Sequence, residues 1–198
     1  MVKKSSLPII SFADPLSFES WLDDHCDTSP GIRLQIAKKN SGVVTISYNE
    51  ALEVALCYGW VDSQKEAYDE KTWLQRFTPR GAKSIWSKVN KDKAEQLIAN
   101  GRMKTSGYKA IEEARKNGNW DKAYESQSIA SLPEDFAIEL ERNAEAKAFY
   151  DTLDRQNKYA ILFRIHNAKK QETRDKRIRQ FIQMLEEGQK IHPSSGTR

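Results

Sequence analysis

Histidine, cysteine and long apolar runs are scarce in this 198-residue chain. The histidines are His25, His166 and His192, and none of them sits in an HExxH or other metal-ligand spacing. The two cysteines, Cys26 and Cys57, are too few for a disulfide scaffold and agree with a reducing compartment. No stretch approaches the roughly 18 uncharged apolar residues of a membrane span. The glycines form neither GxGxxG nor a P-loop: Gly81-Ala82-Lys83-Ser84 ends like one, but Arg76 stands where its first glycine belongs. Cys26 follows His25, yet adjacent helical residues diverge by about 100° and rarely face each other. Neither a catalytic residue, nor a metal site, nor a cofactor is expected from these patterns.

Charge is plentiful but uneven. The formal net charge is +4. Between Arg76 and Lys104 there are eight basic and two acidic residues, and between Arg155 and Arg179 nine and two. From Asp121 to Asp151 the balance reverses. Such runs are most simply solvated faces, and more specifically they fit an anionic partner. The N-terminus is basic at Lys3 and Lys4, but Pro8 and Asp14 interrupt the apolar residues that a cleavable signal needs. A cytoplasmic protein is expected, with an untidy start and a frayed tail after Lys190.

Periodicity divides the chain in two. Asp14 and Pro15 open a helix over residues 16–24. Ile32, Leu34 and Ile36 alternate with polar residues as in a half-buried strand, and the β-branched run 43–46 is expected to pair back onto it. Ser47 and Glu50 form a capping box for a helix that ends near Gly59. Residues 60–63 and 72–77 read as a hairpin, Asn90 as the cap of the next helix, and Thr105 or Ser106 as the start of another. From Pro133, taken as a first helical residue, the pattern is purely helical. The expected class is α+β: a small, mostly antiparallel sheet with helices over 1–125, then an all-helical module over 126–198.

One region mixes aromatic and basic residues. Trp60, Trp73 and Trp86 fall near Arg76, Arg80, Lys83 and Lys88, with Asp62 and Asp69 as the acidic members. Trp60, Asp62, Arg76, Arg80, Lys83, Ser84 and Trp86 are the candidate site for an anion, with Trp60 and Trp86 as its walls. The simpler role for the tryptophans is core packing. An enzyme would have to use Asp62 or Asp69 with Ser84. Arg102, Lys169, Arg174 and Arg177 are candidates for contact with a partner or a phosphate. Nucleic-acid binding through 76–104 and 155–179 is the alternative, and docking of a protein by the last helices is a further one.

The segments ALCYGWVDS, RFTPRGAKSIWSKVN, IANGRM, GNWDKAY and AKKQETRDKRIRQFIQMLEEG resemble the YdeI/OmpD-associated, or bacteriocin-protection (OmdA-type), family. The likeness extends over residues 17–192. Matching positions include Trp60, Asp62, Arg76, Pro79, Arg80, Ser84, Trp86, Ser87, Asn90, Gly101 and Arg102, then Lys169, Thr173, Arg174 and Arg177. The resemblance implies a small helical C-terminal module near 133–190 and a role in resistance to cationic antimicrobial peptides and bacteriocins. It implies neither agreed catalytic residues nor a cofactor. The family is associated with a porin and a periplasmic location, whereas the N-terminus here reads as cytosolic.

Overall fold

A computed structural model describes residues 7–124, 132–168 and 170–192. The chain forms two compact units, Met1–Ala123 and Tyr124–Arg198. The boundary expected at 125/126, Lys3, Lys4, Lys169 and most of the expected frayed tail lie outside the described residues.

The first unit holds β1 (Ile9–Ile10), α1 (Pro15–His25), β2 (Ile32–Ala37), α2 (Tyr48–Cys57), β3 (Trp60–Ala67), β4 (Thr72–Pro79), α3 (Lys88–Ala99) and α4 (Thr105–Lys116). Its sheet has the order β1-β2-β4-β3. β1 runs parallel to β2, and the other pairs are antiparallel. The hairpin is β3–β4, which pairs Trp60 with Pro79 and carries an irregularity between Asp62 and Lys65.

Alternation sets what each sheet face does. Ile32, Leu34, Ile36 and Phe77 turn toward Phe18 and Leu22 of α1 and Leu52, Ala55 and Leu56 of α2, forming one core. Each large apolar side chain buried there contributes about 1.5–3 kcal/mol. The opposite face carries Arg33, Gln35, Leu74 and Arg76.

Local chemistry explains the helix starts. Asp14 and Ser17 form one capping box, Ser47 and Glu50 another. Each caps orphan N–H groups that would otherwise cost about 1 kcal/mol. The cap of α3 is Ser87, whose Oγ accepts from the N–H of Asn90 at 3.1 Å, so Asn90 lies inside the helix rather than capping it. Pro133 stands one position outside the first helical residue, Glu134, and acts as N-cap without a side-chain bond.

Residues 43–46 form no strand. Thr45 Oγ1 accepts from the N–H of Ala37 at 2.8 Å and the N–H of Ile46 donates to Phe12, so this segment closes the end of β2 instead of pairing along it. Val44 is left 80% exposed. The antiparallel neighbour of β2 is β4, some forty residues on, which local pattern does not reveal.

The second unit contains α5 (Glu134–Arg142), α6 (Ala144–Thr152), α7 (Arg155–His166) and α8 (Gln171–Glu186). Its separate core is built on Phe136, Ala146, Ile161, Ile165 and Leu185. Asn143 caps α6 and Asp154 caps α7 through their side chains. Arg174 of α8 grips Asp135 of α5 with two nitrogens, at 2.5 and 2.8 Å. The α+β class and the helical second part are as expected.

Candidate anion site on the open sheet face

The register of β2 and β4 places Arg33 directly opposite Arg76. The N–H of Arg33 turns away from β4 and donates to Pro8 O at 2.8 Å. Arg33 and Arg76 are therefore a non-hydrogen-bonded pair, the class in which side chains approach most closely, with Cα atoms about 4.5 Å apart. Like charges in that position repel and destabilise the pair. Arg33 is partly relieved: its Nε donates to Leu7 O at 3.0 Å, and its Nη1 lies 3.8 Å from Glu66 Oε2. That ion pair spans β4 beside Leu74, which is 2% exposed and is the strand partner of Glu66. Arg76 is half-buried, and its side chain makes neither a hydrogen bond nor an ion pair among the described residues. Two arginines thus share one side of a strand pair, and among the described residues one carboxylate, Glu66, forms an ion pair with one of them. This arrangement suits a phosphate or carboxylate, whose oxygens can accept from both forks.

The other residues of the expected Trp/Arg site fall in different surroundings. Trp60 is 1% exposed; its indole N–H donates to Cys26 O at 3.2 Å, and its ring stands edge-on to Trp21. Asp62 accepts from the Tyr48 hydroxyl at 2.8 Å. Arg80, Ser84 and Trp86 do come together. The Arg80 guanidinium lies 3.6 Å from the Trp86 ring centroid, its Nη1 donates to Ile85 O, and Ser84 Oγ accepts from the Gly81 N–H. Trp86 in turn packs edge-on against Trp120. The cavity beside this loop has a volume of about 30 Å³, room for little more than a water molecule. Lys83 is exposed on the same loop. Asp69 organises the β3–β4 turn, accepting from the N–H groups of Lys71 and Thr72.

Three of the four candidate partner contacts are already engaged. Arg102 pairs with Glu53 at 3.0 Å, Arg174 with Asp135, and Arg177 donates to Arg164 O. The fourth, Lys169, lies outside the described residues.

Arg33 was not singled out by its sequence context. The alternation of residues 32–37 places it on the polar side of its strand, but only the strand order brings it beside Arg76.

A second polar region, a cavity of about 310 Å³, lies between α1, the end of α2 and the start of α4. Lys104 meets Glu19 there at 2.9 Å, and that hydrogen bond raises the lysine's pKa. The Tyr58 hydroxyl donates to Asp23 at 2.5 Å; burial, then this bond, pushes its pKa far up. Burial likewise raises the Cys57 thiol. Every charge here has a partner, and both phenol and thiol stay protonated at neutral pH. Among the described residues, His, Cys, Asp and Glu gather nowhere in a group of three fit to hold a metal ion. No described helix is long and apolar enough to cross a membrane.

Among the described residues the fold is a mixed-sheet α+β unit followed by a unit of four helices, with a half-buried cationic pair on the sheet. The chain belongs to the family described as domain of unknown function DUF8412, matched over residues 10–110, and its second part is an OmdA domain (Bacteriocin-protection, YdeI or OmpD-Associated), matched over 130–188. The resemblance expected over 17–192 thus divides between two family models. Neither the curated proteins nor the solved structures gave a match.

Proposed function

We propose that this protein is a non-enzymatic, cytosolic binding protein whose first unit holds an anionic ligand across Arg33 and Arg76. The observation that carries the reading is Arg76, a half-buried residue whose side chain lacks a partner among the described residues and which stands opposite a second arginine in the strand register. An anion there offsets the cross-strand repulsion and supplies the acceptors that Arg76 lacks. The ligand class is a phosphate- or carboxylate-bearing molecule. The site differs from the tryptophan-walled cluster expected from sequence, since Trp60 and Trp86 are committed to packing. Cys26 and Cys57 are free thiols, which fits a reducing compartment. The description of the OmdA domain suggests a protective role against bacteriocins for this chain as well.

Nucleic-acid binding through the basic stretches is the weaker reading, because Arg102, Arg174 and Arg177 already have intramolecular partners. The direct test follows the arginine Nε resonances by NMR while inorganic phosphate is added. Saturable shifts at both Arg33 and Arg76 are expected. Shifts absent from this pair, or distributed over all arginines, contradict the site.

A further inference from the structure

The helical unit contains a shallow, open groove of about 620 Å³ along α7. Its floor is aromatic. Tyr159 and Phe163 are one turn apart, with ring centroids 5.7 Å apart. Tyr124 stands edge-on to Phe163 at 4.9 Å and fixes that ring. Basic residues line it too: Arg155 and Arg164, nine residues and so about half a turn apart around α7, and His192. Among the described residues, none that lines it is a carboxylate. The rim is a built feature rather than a loose tail. The side chain of Asn157, 1% exposed, accepts from the His192 N–H at 2.8 Å and donates to the His192 carbonyl at 3.1 Å. Arg164 is steadied in the same way, with Nη1 donating to Ala160 O at 2.8 Å.

We propose that this groove binds a small molecule that joins a planar ring to a phosphate group, the chemistry of a nucleoside monophosphate. The ring lies on Tyr159 and Phe163, and the phosphate is taken by an arginine at the groove's edge. Stacking on an aromatic side chain is tolerant of ring identity, and a guanidinium fork matches phosphate oxygens. The Tyr159 hydroxyl, whose pKa burial pushes up to about 12, remains a neutral hydrogen-bond donor at physiological pH. This site lies in a different unit from the arginine pair of the sheet and does not depend on it.

Isothermal titration of the full chain carrying Arg76→Ala separates the two, since the sheet site is then impaired. Adenosine monophosphate is the probe, with adenosine and inorganic phosphate as comparison ligands. Adenosine monophosphate is expected to bind at least tenfold more tightly than either. Arg155→Gln and Tyr159→Leu, introduced singly, are each expected to weaken it at least fivefold while the far-UV spectrum is unchanged. No measurable binding, equal affinity for inorganic phosphate, or indifference to both substitutions overturns the proposal.

Discussion

The ion pair between Arg174 and Asp135 shows how one residue's chemistry becomes a property of its unit. The hydrogen bond from Arg174 outweighs the opposing effect of burial and holds the Asp135 carboxyl below its usual range. A depressed folded-state value means stability that is present above the unfolded carboxylate pKa and lost as pH falls through the lower, folded one. The loss therefore belongs to the acid region below about pH 4. Asp135 is 40% exposed on its side chain, so solvent screening limits the pair to about 1 kcal/mol. Asp135→Asn is expected to lower the urea midpoint of the helical unit near neutrality and to narrow its difference from the unsubstituted protein at pH 3. A gap that stays constant with pH contradicts the assignment. Arg174 was legible in sequence as a basic residue on a helix face. Its use was not, because Asp135 lies 39 residues earlier and helical periodicity gives each helix a buried face without saying which helices meet. The same holds for Trp60 and Trp86: composition marks them as aromatics near arginines, but burial commits both to the core.

At the scale of elements, the most constrained crossing is that of α2 with α4. A Cβ on Gly107 would lie 2.2 Å from the Cys57 carbonyl oxygen and 2.4 Å from Met103 Sδ. Gly59, at φ +72°, meets the same helix, where a Cβ would lie 2.8 Å from Ser106 O. Gly107→Ala is expected to cost about 1–3 kcal/mol, as overpacking of a tight contact does, read from the denaturant midpoint. An unchanged midpoint would mean that the crossing is looser than described. Ser47→Ala removes the acceptor for the Glu50 N–H and is expected to cost about 1 kcal/mol by the same measurement. Capping boxes are local, so the starts of α1 and α2 were readable from four residues each. The run 43–46 was misleading because β propensity describes a residue's fit to a sheet, not whether a neighbouring strand is vacant. Here β4 occupies the antiparallel side of β2 and β1 the other.

The whole molecule has two cores, and its five tryptophans report only on one. Trp21, Trp60, Trp73, Trp86 and Trp120 all lie in Met1–Ala123, while Leu185 is fully buried in the core of the helical unit. Leu185→Ala is expected to cost that core about 2–5 kcal/mol. Far-UV ellipticity should then show an earlier helical transition, with the tryptophan fluorescence transition unmoved. Coincident shifts in both signals would show that the units unfold as one. The change from alternating to helical periodicity made the two-part architecture legible. The arginine pair was not, because it arises from strand order, a property of the assembled sheet.

The account rests on the position of Arg76, not merely on its charge. The measurement that tests this is the affinity for inorganic phosphate of the unsubstituted protein, of Arg76→Ala and of Lys83→Ala, at one ionic strength. Both substitutions remove one positive charge, and Lys83 is exposed on the loop after β4. A loss of about tenfold, roughly 1.4 kcal/mol, is predicted for Arg76→Ala and little change for Lys83→Ala. Equal losses in the two variants, or none in either, would contradict an anion site on the sheet.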